Sequence, residues 1–161
     1  MYNIGDRVVY PMHGAGVIED IEEREILGKT QKYYVMKMPL GDMKVMIPMS
    51  NTEGIGIRDV ISSDVADKVL TSFKDAVEDF TQSWNKRYRE NMLKIKSGNI
   101  FEVARVVKAL MCRDKEKGLS TGERKMLTNA KQILISELVL AKNKPQGDIE
   151  VIIEEMIAEG Q

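Results

Sequence analysis

The chain is poor in the residues that most often carry chemistry. One cysteine, Cys112, and one histidine, His13, stand among 161 residues. A lone cysteine excludes a disulfide framework and a thiolate metal cluster, and a lone histidine excludes a two-histidine metal site. Cys112 sits among Val106, Val107, Leu110 and Met111 in a helical pattern, where a free thiol behaves as a small buried hydrophobe. No run of eighteen apolar residues occurs, and the first twenty residues lack a signal-peptide pattern, so a cytosolic protein without a membrane span is expected. No glycine-rich loop ends in Lys-Ser or Lys-Thr. Gly14-Ala15-Gly16 lacks the third glycine and the following helix of a dinucleotide fingerprint. Asp and Glu are plentiful but fall mostly on helix faces, where solvation is the default role. Internal repeats and low-complexity linkers are also missing. These absences predict a binding protein and not an enzyme, with no cofactor, no metal and no small-molecule substrate.

What is present is segregated charge. Trp84, the only tryptophan, opens a stretch to Lys131 that holds thirteen Lys/Arg against five Asp/Glu, a local +8 in a chain of net −1. Phosphate backbones respond to local positive fields, not to net charge. An aromatic at the edge of such a field is placed to stack on or wedge beside a base.

The texture changes near residue 60. Before it the chain reads as strands: Arg7-Val8-Val9-Tyr10 ending at Pro11, Val17 to Ile21, Lys32 to Met38, and Lys44 to Pro48. Turns are expected at His13-Gly14-Ala15-Gly16, Leu27-Gly28-Lys29 and Gly41-Asp42. Short strands at this spacing predict a small, strongly bent barrel. With seven Lys/Arg and nine Asp/Glu, this part is not the nucleic-acid face.

After residue 60 the pattern is helical. Ser63-Asp64 can cap a helix through Leu70, and Phe73, Val77, Phe80, Trp84, Tyr88 and Ile95 fall on one face of a long helix. Asn99 can cap the next, with Val103, Val106, Val107 and Leu110 inward and Gly118 at its end. Ser120-Thr121-Gly122-Glu123 is a capping box, in which Ser120 accepts from the Glu123 amide and the Glu123 carboxylate reaches back to the Ser120 amide. That helix ends before Pro145, and Asp148 can cap a last one. The class is α+β: a small β-barrel over residues 1–55, a hinge at residues 50–62, and a compact all-α domain over residues 62–161.

Two readings of Trp84 stand side by side. Its spacing continues the Phe73/Val77/Phe80 stripe, which makes it core. Yet Lys86, Arg87 and Arg89 flank it around the helix, with few acidic partners at i±4. The helix start at Ser120 adds amides and a positive dipole end, with Arg124 and Lys125 one turn in, a combination that suits a phosphate. This second reading is a helical DNA- or RNA-binding surface.

In order, Gly5-Asp6-Arg7-Val8-Val9-Tyr10-Pro11 with His13-Gly14, Gly41-Asp42-Met43 with Ile47-Pro48, Gly56-Ile57-Arg58, Trp84-Asn85-Lys86-Arg87-Tyr88, Arg113-Asp114, Gly118 to Glu123, and Met126-Leu127 continuing to Ala130 to Leu134 resemble the CarD/CdnL family of bacterial transcription regulators. The resemblance spans almost the whole length. It implies a Tudor-like (SH3-like) N-terminal barrel that binds the β-subunit lobe of RNA polymerase, a module shared with the transcription-repair coupling factor. It also implies a helical domain at the upstream edge of the transcription bubble. There a tryptophan at the position of Trp84 wedges into the minor groove, and basic side chains matching Lys86, Arg89 and Arg124 hold phosphates. Arg24 matches a polymerase-contacting arginine, whereas Met46 stands where a second is expected. An edge strand such as Lys32–Met38 or Lys44–Ile47 can join the partner by backbone pairing. Promoter DNA binding by the isolated protein is expected to be weak and indifferent to sequence. The competing expectation is an SH3-like adaptor for another protein.

Overall fold

Alternating β-branched and aromatic residues punctuated by glycine turns build the first third of the chain. In the computed structural model, which describes residues 1–75 and 83–160, five antiparallel strands form one sheet in the order β4-β3-β2-β1-β5. They are β1 (Arg7–Tyr10), β2 (Gly14–Ile26), β3 (Lys29–Lys37), β4 (Lys44–Pro48) and β5 (Arg58–Asp59). Leu27 and Gly28 both take positive φ, 53° and 77°, the turn that suits a tight hairpin between β2 and β3. The first turn falls earlier than expected. It occupies Pro11 to His13 with Met12 at φ 75°, and Gly14 already opens β2. Gly16 is then a strand residue, required because a Cβ there would stand 2.6 Å from the Lys37 carbonyl oxygen. A register shift between Ile18 and Asp20 bends the sheet, and Val8, Ile18, Tyr34, Met36, Met38 and Ile47 form a hydrophobic core of its own.

Among the described residues six α-helices follow or interrupt: α1 (Thr52–Ile55), α2 (Ser63–Thr71), α3 (Trp84–Lys96), α4 (Ile100–Glu116), α5 (Thr121–Lys142) and α6 (Gln146–Glu159). The starts of α2 to α5 are set by side-chain caps. Ser62, one residue before the expected site, accepts from the Val65 amide at 3.2 Å, and Asn99 accepts from that of Phe101 at 2.9 Å. Asp148 lies within the first turn of α6 and Pro145 takes the cap position instead. A second correction concerns the long helix. After α2 the chain makes a 3-10 turn, Ser72–Lys74, and α3 begins afresh at Trp84 under a Ser83 cap. Phe73 and Ile95 are core, each 1% exposed, but they belong to different elements; Val77 and Phe80 lie outside the described residues. Phe73, Val106, Leu110, Leu134, Ile149 and Ile153 anchor one helical core. Among the described residues, no helix is long and apolar enough to cross a membrane.

The sheet and the helices meet along α5. The Ala15 amide donates to Ser136 Oγ at 2.8 Å, and Arg7 donates to the Leu140 carbonyl at 2.6 Å. The segment read as a hinge carries a 3-10 turn (Met49–Asn51), α1 and β5, and it is pinned where Arg58 and the Ile61 amide both meet Glu137.

Candidate nucleic-acid interface

Trp84 is the first residue of α3 and is 41% exposed, so it is not core. Three neighbours fix its orientation. Tyr88, one turn on, stacks against the indole with centroids 4.9 Å apart and 19° between planes. Ser120, at the cap of α5, accepts a hydrogen bond from the indole Nε1 at 3.1 Å. Gly122 supplies a bare backbone: a Cβ there would already touch the indole Cζ2 at 3.5 Å. One face of the ring is thus held and the rest projects to solvent at the junction of α3 and α5.

The cations around it divide into outward and inward sets. Lys86 and Arg89, three residues apart on α3, are exposed, as are Arg124 and Lys125 on the first turn of α5. Among the described residues Lys86, Arg89 and Lys125 make no ion pair, while Arg124 stands 3.5 Å from Asp114. Arg124 and Lys125 also line an open groove along α5 with Thr121, Thr128, Asn129 and Gln132. Arg87 is the exception. It is 7% exposed, and its Nε donates to Glu123 Oε2 at 3.0 Å. It faces inward because positions 87 and 91, four apart, form the buried face of α3. Arg87 therefore supports the site from beneath and does not face a phosphate.

Ser120, read as offering the amides of its helix start to a phosphate, caps α5 with its side chain. Its hydroxyl accepts from the Glu123 amide at 3.2 Å and from Trp84, and donates to Glu123 Oε1 at 3.4 Å, which uses its full capacity. The capping box is made on one side only. The Glu123 carboxylate does not return to the Ser120 amide but pairs with Arg87 and lies 3.9 Å from Arg113 Nε. Burial alone would push that carboxyl up. The Arg87 hydrogen bond and charge, with Arg113 and Ser120, outweigh burial and hold it below its ordinary value. Tyr88, Gly122 and the Glu123 anchor escaped the reading of the sequence. The i, i+4 spacing of Trp84 and Tyr88 was the available signal for the first.

The residues expected to meet polymerase, Arg24, Lys44 and Met46, lie elsewhere, on the sheet. Arg24 is on β2, exposed, 3.3 Å from Glu22. Lys44 on β4 pairs with Glu19 at 2.6 Å, and that hydrogen bond raises its pKa. Met46, half-buried on β4, faces Val35 across the ladder. Of the two runs read as edge strands, Lys44–Ile47 is the edge, whereas β3 is interior, paired to β2 and β4 on its two sides.

Two family models match the chain: one described as CarD-like/TRCF RID domain over residues 2–61, and one described as CarD, C-terminal domain over residues 68–154. A Bacillus subtilis (strain 168) protein described as putative transcription factor YdeB is 45% identical over 149 residues, which cover 92% of this chain and 97% of that protein.

Proposed function

The chain belongs to the CarD family of transcription factors, and from that premise we propose that it docks on the β-subunit lobe of RNA polymerase and prolongs the promoter open complex. The first third of the chain matches the CarD-like/TRCF RID domain, an RNA polymerase-interacting domain, which supports polymerase as the partner. Docking uses the free edge of β4 and the outward side chains of Arg24 and Lys44, with Met46 in place of the expected arginine. The helical domain then stands at the upstream edge of the bubble, where Trp84 wedges into the minor groove and hinders reannealing while Lys86, Arg89 and Arg124 hold phosphates.

One observation carries this reading: an indole braced on one side and exposed on the other, at a helix end ringed by outward cations. A core tryptophan has no such rim, and a solvated helix face has no braced aromatic. Three phosphate contacts give a salt dependence of slope about −2.7, too little for tight binding without polymerase. Presenting the site from a docked sheet raises its effective concentration at the DNA. Polymerase on a promoter with an unstable bubble, challenged with competitor, tests the proposal. The open complex should live several-fold longer with the protein, and the gain should vanish with Trp84→Ala while polymerase binding persists. An unchanged lifetime with polymerase of the matching species would reject it.

A further inference from the structure

Helix α5 carries two buried carboxylates, Glu123 at 2% and Glu137 at 1% exposure. They lie about 21 Å apart at 1.5 Å per residue and on nearly the same face. Each is gripped by an arginine from another element. Glu123, with Ser120, holds the Trp84 site. Glu137 holds the sheet: Arg58 Nη1 and Nη2 donate to its two oxygens at 2.7 and 2.8 Å, and the Ile61 amide donates to Oε2 at 3.0 Å. The same guanidinium donates from Nε to the Gly98 carbonyl at 2.9 Å, just beyond the C-terminal end of α3. Arg58, on the last strand of the sheet, is therefore bonded directly to α5 and to the segment that ends α3, the two helices whose opposite ends carry the Trp84 site.

We propose that Arg58 and Glu137 are positioning residues that fix where Trp84 stands relative to the polymerase-docking sheet, an inference that rests on the function proposed above. Burying an ion pair stabilises a protein little beyond what apolar packing of the same volume would. A bidentate guanidinium–carboxylate pair does impose one distance and one angle. Ser136 and Leu140, flanking Glu137 on α5, accept from Ala15 and Arg7, so the joint has three polar contacts along one helix. A rigid joint concentrates the docked indole at one place. With a loose joint, polymerase still binds, but the indole occupies the bubble edge for a smaller share of the time.

The experiment uses the full chain, cognate polymerase and an unstable promoter, with Glu137→Gln, Arg58→Lys and Trp84→Ala beside wild type. Polymerase affinity, open-complex lifetime at saturating protein, X-ray scattering of the free protein and Trp84 emission are read together. The sole tryptophan makes that emission a report on the wedge site alone. Glu137→Gln is expected to keep its polymerase affinity and its emission, to broaden the scattering, and to shorten the saturated lifetime several-fold. Arg58→Lys, which keeps one cationic prong, should lose less; it carries the test alone if Glu137→Gln does not fold. A wild-type lifetime at saturation in a folded variant overturns the proposal, and so does a deficit that more protein restores, because that is a docking defect. If Trp84→Ala leaves the lifetime long while Glu137→Gln shortens it, the wedge reading fails and the joint stands. If Trp84→Ala and Glu137→Gln are both without effect, both readings fail.

Discussion

The sheet and the helical face around Trp84 carry the same kinds of cation in opposite company. On the sheet, Arg24 meets Glu22 on its own strand at 3.3 Å, Lys32 meets Glu23 on the adjacent strand at 3.9 Å and Lys44 meets Glu19 two strands away at 2.6 Å, so three of its cations are answered locally, while Lys29 and Lys37 have no ion pair among the described residues. Around Trp84, Lys86, Arg89 and Lys125 have no such partner among the described residues. A matched surface projects little field, whereas an unmatched one attracts phosphate. Composition alone does not separate the two, because lysine and arginine are common to both. The placement of the acids does: beneath Trp84 Glu123 is turned inward to Arg87, and of the outward cations there only Arg124 meets an acid, Asp114.

The sharpest way to break the comparison is to strike that inward pair. Arg87→Ala leaves Glu123 buried and stripped of its closest partner, a loss of about 3–5 kcal/mol that urea unfolding would register. The pair also sets a pH dependence. The Glu123 carboxyl is held below its ordinary value in the folded protein, so its contribution is fully present above the unfolded pKa and is lost as pH falls through the lower folded value. Wild-type stability should fall on acidification below about pH 4.5 more steeply than that of a folded Arg87→Lys variant, whose single ammonium grips the carboxylate less well. Equal slopes would mean that the pair does not carry the linkage.

Trp84→Ala should do the reverse, with much function lost for little stability. The stack on Tyr88 and the bond to Ser120 together account for about 1–2 kcal/mol. Trp84→Phe keeps the stack and removes the Nε1 donor, so it should melt near wild type yet give an intermediate open-complex lifetime. Unfolding of the helical domain by Trp84→Ala would return the residue to the core and erase the contrast. A gentler test is salt. Lys86→Ala and Arg89→Ala should each flatten the salt dependence of DNA association by about 0.9, and Arg24→Ala should leave it unchanged.

Much of this was legible from local chemistry. Strand alternation, the Gly28 and Gly41 turns, the Asn99 and Ser120 caps and the α+β division all depend on near neighbours, which a sequence displays. The errors arose where distant residues decide. Phe73 and Trp84 share helical spacing, but a Ser83 cap and a 3-10 turn separate them, and periodicity is blind to a break that preserves phase. Arg87 sits in a run of cations, yet its burial depends on Glu123, thirty-six residues on. β5 is two residues long and pairs with β1 across about fifty residues, beyond any local pattern. The Arg58–Glu137 contact spans seventy-nine.

The smallest expected effects lie on the sheet, and they sharpen the comparison most cleanly. Arg24 and Lys44 are exposed, paired and remote from the core, so Arg24→Ala should shift stability by no more than about 0.5 kcal/mol. Truncating Lys44 should leave the melting temperature unchanged within measurement. If the two faces divide their labour, both variants weaken polymerase binding, and both reach the wild-type open-complex lifetime once protein saturates the polymerase. Lys86→Ala should fail the second criterion and meet the first, with native polymerase affinity and a shortened lifetime at saturation. Should Arg24→Ala shorten the saturated lifetime as Lys86→Ala does, the neutralised sheet would be acting on DNA as well as on polymerase, and local charge matching would not be what distinguishes the two surfaces.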